Sequence, residues 1–182
     1  WLQKVINEES HVNVLGLVRP SGIAVDSKDH IYIADTNKGA VFVFDLAAKT
    51  MSLLGNEGRG KLGQPFGIVI DKNDNVYVSD TGLKAVNIYD SQGALTASLR
   101  KIGKQDIVNP TGIALDEPRN RLLIVDSRGH KVLVADLVHL GDGTVFGKRG
   151  EEDNEFNFPS YVVVDKDGKI FVTDTLNFSV KV

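Results

Sequence analysis

Residues 20–45 read PSGIAVDSKDHIYIADTNKGAVFVFD: three short apolar runs, separated by turn residues and closed by an aspartate. Gly22–Val25, Ile31–Ala34 and Val41–Phe44 are rich in β-branched and aromatic residues and too short for helices, so each is predicted to be a strand. They are apolar at consecutive positions instead of alternating, which predicts strands covered on both faces. The DSKD turn between the first two supplies side chains that cap backbone N–H groups or tolerate positive φ.

The remainder of the chain restates this unit: PFGIVIDKNDNVYVSDTGLKAVNIYD from Pro65, PTGIALDEPRNRLLIVDSRGHKVLVAD from Pro110 and PSYVVVDKDGKIFVTDTLNFSVKV from Pro159. The leading prolines are 45 to 49 residues apart, and Asp35, Asp80, Asp126 and Asp174 keep nearly the same step. A period of about 40–50 residues holding several strands is that of a β-propeller blade. A fourth apolar segment follows each of the first three copies, at Met51–Leu54, Leu95–Ile102 and Thr144–Phe146, while Leu2–Ile6 reads as a displaced outer strand. The expected organisation is one all-β domain over 1–182, with blades at about 20–54, 65–102, 110–147 and 159–182.

In each copy a proline leads a strand that ends in aspartate, a second strand ends in Asp-Thr or Asp-Ser, and a third apolar strand follows. This pattern resembles the NHL repeat. The resemblance covers nearly the whole chain and implies an NHL-type β-propeller, a family that usually closes with six blades. On that reading the chain is four blades of a larger ring; the alternative is a closed four-bladed propeller in which Leu2–Ile6 completes the last blade. An unclosed ring would expose blade faces and favour self-association. The wording of DKNDNVYVSD and DKDGKIFVTD is similar to exported bacterial NHL proteins, which implies a periplasmic, envelope or extracellular location. The chain begins at Trp1 without a charged and apolar leader, so any signal segment is expected to have been removed.

Composition narrows the chemistry. Net charge is −3 and the pI is about 5.8, which disfavours nucleic acid or an anionic membrane as a bulk electrostatic partner. Zero cysteines exclude disulfides, a thiolate nucleophile and thiolate metal ligands. No apolar run approaches the roughly 20 residues of a membrane-spanning helix.

Asp35, Asp80, Asp126 and Asp174 could ring a cation around the axis, but each precedes a Thr or Ser turn, where a carboxylate accepting backbone N–H bonds holds a hairpin; they are expected to be structural turn residues. The DKNDN and DKDGK turns fail as calcium loops, since positions six and twelve hold Val76 and Gly82 in one and Ile170 and Leu176 in the other. His130 occupies a loop position similar to a zinc ligand of peptidylglycine α-amidating lyase, a relative of the same propeller type. The matching positions in the other copies are Gly39, Lys84 and Phe178, so a three-ligand set is missing and no metal or cofactor is expected. Tyr161 stands where the other copies have Gly22, Gly67 and Gly112, and could line a pocket with Phe66 and Phe178.

The second-to-third strand loops differ between copies and are predicted to share a face with the interblade loops, which makes that face the expected binding surface. Its candidate residues are Lys38, Arg59, Lys61, Phe66, Lys84, Arg128, His130, Tyr161 and Phe178; Lys148 and Arg149 would add to its basic character. The expected function is a non-enzymatic binding or scaffold module for a protein or glycan. The alternatives are a propeller enzyme related to the amidating lyase or a hydrolase, with its active site completed by further blades, and a single-stranded RNA binder, which the acidic run Glu151, Glu152, Asp153 and Glu155 disfavours.

Overall fold

A computed structural model describes residues 16–182. The predicted strand at Leu2–Ile6 lies outside the described residues. The first sheet is a four-stranded antiparallel meander, β1 (Pro20–Val25), β2 (Ile31–Asp35), β3 (Ala40–Asp45) and β4 (Thr50–Leu54). The second repeats it with β5 (Pro65–Ile70), β6 (Val76–Asp80), β7 (Ala85–Tyr89) and β8 (Leu95–Leu99). A short hairpin, β9 (Lys101–Ile102) with β10 (Gln105–Asp106), leads to the third sheet. That sheet is β11 (Pro110–Asp116), β12 (Arg121–Asp126), β13 (Lys131–Asp136) and β14 (Gly143–Phe146). The fourth has three strands, β15 (Pro159–Val164), β16 (Ile170–Asp174) and β17 (Ser179–Lys181).

The register repeats as closely as the sequence. Pro20 pairs with Asp35, Pro65 with Asp80, Pro110 with Asp126 and Pro159 with Asp174, and each inner strand slips its register immediately afterwards. A bulge at that point twists the inner strand and carries its backbone toward the next sheet. The innermost strands β1, β5, β11 and β15 lie side by side in chain order.

The core fills the three seams between consecutive blades. Val41, Leu54, Ile68 and Val78 meet between the first and second. Val86, Ile102, Ile113 and Leu133 meet between the second and third. Leu123, Val132, Phe156 and Val172 meet between the third and fourth. Each sheet is therefore covered by its neighbours, and β6, β7 and β12 are buried along essentially their whole length.

Two expectations need correction. Burial on both faces holds for the middle blades but not at the ends of the arc: Ile23 and Val25 of β1 and Val163 of β15 are exposed, because among the described residues no sheet lies beyond them. The predicted outer strand Leu95–Ile102 is broken at Arg100. The chain turns through Gly103, at φ 56°, so that Ile102 and Ile107 drop into the second seam.

Candidate functional site

The register puts the start of each inner strand, the end of the second strand and the start of the third on one face. The four repeat aspartates tie these pieces together there. Asp35 Oδ2 accepts the Val18 and Arg19 amides, at 2.6 and 3.0 Å, while its Oδ1 accepts those of Asn37 and Lys38. Asp80 accepts from Gly63, Gln64 and Leu83. Asp126 accepts from Val108, Asn109 and Gly129, and Asp174 from the Asn157 amide and the Asn177 side chain. All four are 0–1% exposed. Each carboxylate therefore clamps the incoming interblade loop to the turn after the second strand, and its oxygens are occupied by donors from its own blade.

Those turns place Gly39, Lys84, His130 and Phe178 at φ 62°, 53°, 52° and 49°. The left-handed backbone is one that large L-residues rarely adopt, so the scaffold holds one turn while the side chain varies freely. Phe178 is the extreme case, 93% exposed. His130 packs edge-on against Phe158, ring centroids 4.7 Å apart, and its Nδ1 accepts the Phe158 amide at 3.3 Å. Phe158 itself has φ 54°, and its carbonyl accepts the Thr175 amide, so it joins the turns of the third and fourth blades. Nothing in the sequence marks Phe158, because an aromatic before proline carries no signal for left-handed backbone.

Arg59, Lys61, Lys84 and Arg128 are exposed on this face and Lys38 is half-buried. The acidic loop folds back on its own surroundings: Lys148 pairs with Glu155 at 3.0 Å, and Lys181 Nζ donates to the Glu151 and Glu152 carbonyls. Lys148 thus adds little free positive charge.

Phe66 and Tyr161 lie deeper, on β5 and β15. Their rings are 5.7 Å apart, and the Tyr161 hydroxyl reaches the Ser21 carbonyl at 3.4 Å. Phe178 does not join them. Tyr161 instead borders a cavity of about 520 Å³ among the inner strands, lined also by Ser21, Ile23, Ile33, Ile68 and Ile113.

The opposite face is a chain of turn-to-turn contacts. Ser27 donates through its amide and hydroxyl to Asp74, and the Lys72 amide donates to Glu117, linking the first three blades. Asp116 is gripped by Arg119 and Arg121. Burial pushes its carboxyl up, but the Arg121 and Arg119 hydrogen bonds and charges outweigh that and hold it below the usual carboxylate range. Asp26 is likewise lowered against burial, by the amides of His30 and Lys28 and the His30 ring. A carboxylate depressed in the folded state stabilises it above the unfolded pKa, and that contribution is lost as pH falls. Urea midpoints are therefore expected to drop between pH 6 and pH 3, and Asp116→Asn, compared with the parent, to flatten the profile below about pH 4. An unchanged slope in that variant would remove Asp116 from the account.

His30 sits between two carboxylates, Nδ1 at 2.8 Å from Asp26 and Nε2 at 3.4 Å from Asp45, while His139 is exposed on the β13–β14 connection. His11 lies outside the described residues. Among the described residues no three His, Asp or Glu side chains come together in a metal-binding group, and no helix is long and apolar enough to cross a membrane.

The NHL-repeat family model matches residues 17–44. No curated protein sequence matches the chain. Among solved structures, a streptogramin B lyase superposes with TM-score 0.70 at 12% identity, over 88% of this chain and 50% of its own. A chain of a nidogen/laminin complex gives 0.70 at 22%, over 90% and 59%. An auxiliary nutrient binding protein from Bacteroides thetaiotaomicron gives 0.67 at 16%, over 87% and 46%. The chain spans about half the length of the structures it matches. Such identities establish the fold alone. With one NHL repeat matched directly and the same register carried through the three sheets that follow, the chain has a β-propeller arrangement of four sheets whose first blade is an NHL repeat.

Proposed function

We propose that the chain is a non-enzymatic binding module that engages a protein or glycan through the face carrying the second-to-third strand turns and interblade loops. The carrying observation is the repeated left-handed turn that presents a different residue from every blade, glycine, lysine, histidine and phenylalanine in turn, with Phe178 almost wholly in water. A buried carboxylate fixes each turn, so the variable side chains project from a rigid base, which reduces the ordering cost of binding. Arg59, Lys61, Lys84 and Arg128 are exposed in the same set of loops and favour a partner with acidic or hydroxyl-rich character. Solved neighbours named as a nutrient binding protein and as a nidogen/laminin complex support the class, and the resemblance to exported NHL proteins supports an exported location.

The lyase neighbours favour the enzyme reading, but His130 is engaged by Phe158 and His30 by two aspartates on the other face, which leaves neither poised at a shared centre. Peptide and glycan arrays probed with the labelled protein test the proposal. Specific peptide or glycan signals are expected, falling about tenfold in a Phe178→Ala, Arg128→Glu variant and unchanged in Tyr161→Gly. Arrays of single-stranded oligonucleotides are expected to stay blank. Signals insensitive to the loop-face variant would sink the proposal.

A further inference from the structure

Each seam between blades uses one glycine of the inner strand. A Cβ at Gly22 would lie 2.6 Å from the Phe66 carbonyl oxygen, one at Gly67 2.6 Å from the Thr111 carbonyl oxygen, and one at Gly112 2.6 Å from the Tyr161 Cα. All three distances are shorter than any Cβ tolerates, so the glycine is what lets the next inner strand come so near. The fourth position in this series is Tyr161, whose own Cβ excludes that approach on the free side of the fourth blade. Its side chain borders the central cavity instead, with its ring tilted at 41° to that of Phe66, while remaining 47% exposed.

The lining is chemically one-sided. Among the described residues leucine, isoleucine, glycine and proline make up most of it, the polar side chains are the hydroxyls of Ser21 and Tyr161, and no charged side chain borders it. Ser21 already donates to the Phe66 carbonyl at 2.9 Å, which leaves the Tyr161 hydroxyl, at a long 3.4 Å from Ser21, as the polar group readiest to turn to a guest. At about 520 Å³ the space falls in the range of small-molecule pockets. An ion placed there would lose its hydration with no opposite charge among the described lining residues to meet it, whereas a neutral ring would keep contact with Tyr161 and the isoleucines.

We infer that this cavity is a binding site for a neutral, largely apolar ring compound, with Tyr161 as its anchor, separate from the loop face and independent of what that face binds. The test uses two fluorescent probes with the same ring system, uncharged N-phenyl-1-naphthylamine and anionic 8-anilino-1-naphthalenesulfonate, titrated into the full chain. The neutral probe is expected to saturate at one per chain and to bind at least about tenfold more tightly than the anion. Tyr161→Gly, which restores the glycine of the other three copies and so poses no packing problem, is expected to weaken the neutral probe by about tenfold. Val163→Asp serves as the control for non-specific adsorption, because Val163 is 60% exposed on the same strand and does not line the cavity. It is expected to leave binding unchanged. Equal binding of the two probes, no saturable binding of the neutral one, or sensitivity to Val163→Asp without sensitivity to Tyr161→Gly would each overturn the assignment.

Discussion

Replacing Asp126 by alanine is expected to destabilise the protein by about 3–5 kcal/mol. Asp126 is fully buried and accepts the amides of Val108, Asn109 and Gly129, at 3.0, 2.8 and 3.1 Å, with Lys131 Nζ 3.8 Å away. Alanine leaves three donors without an acceptor in a place water reaches poorly, and each such loss costs about 1–3 kcal/mol, partly recovered where the loop can open. The effect should be local in character. Amides of the loop before β11 and of the turn after β12 are expected to lose hydrogen-exchange protection before those of the first blade. Asp126→Asn, which keeps one acceptor oxygen, is expected to lie between the two. An alanine variant with a urea midpoint indistinguishable from the parent would mean that the loop finds other acceptors, and that the clamp is not what holds it.

Gly112→Ala is expected to cost about 2–3 kcal/mol through sterics alone. The φ of Gly112 is not in the left-handed region, so alanine meets no backbone penalty there. Its methyl would instead sit 2.6 Å from the Tyr161 Cα, 2.7 Å from the Ser160 carbonyl oxygen and 3.2 Å from the Val162 amide nitrogen. All three are backbone atoms of the next blade, which cannot swing aside as a flexible side chain can, so the third seam must widen. Widening strips contacts from Leu123, Val132 and Val172, and the loss of packing adds to the strain. Thermal unfolding of Gly112→Ala beside Tyr161→Gly separates space from flexibility: the first should fall markedly and the second hardly move. A neutral Gly112→Ala would contradict the close approach on which the assignment of the cavity also depends.

The repeat unit made the architecture legible, because a buried strand must be apolar and a tight turn must carry Asp, Asn, Ser or Gly, whatever lies around them. Four copies in step therefore predicted four sheets, their strand order and the shared face of the interblade loops. The candidate face was legible to a lesser degree. Lys84, Arg128 and Phe178 lie at the turns of that face, but Tyr161 borders the central cavity with Phe66 beside it, and Phe178 stands apart from both. No periodicity signals that split, since it depends on how far a ring reaches once its backbone is placed.

Other features were beyond sequence for the same reason. The grip of Arg119 and Arg121 on Asp116, the Ser27–Asp74 clasp and the inward turn of Ile102 and Ile107 join residues whose neighbours are set by blade stacking. By itself the sequence determined the repeating strands and the turn aspartates, because these obey local rules of burial and capping. Only the tertiary structure decided why each seam needs its glycine and that the fourth inner strand carries a tyrosine bordering the cavity, because both follow from distances between segments far apart in the chain.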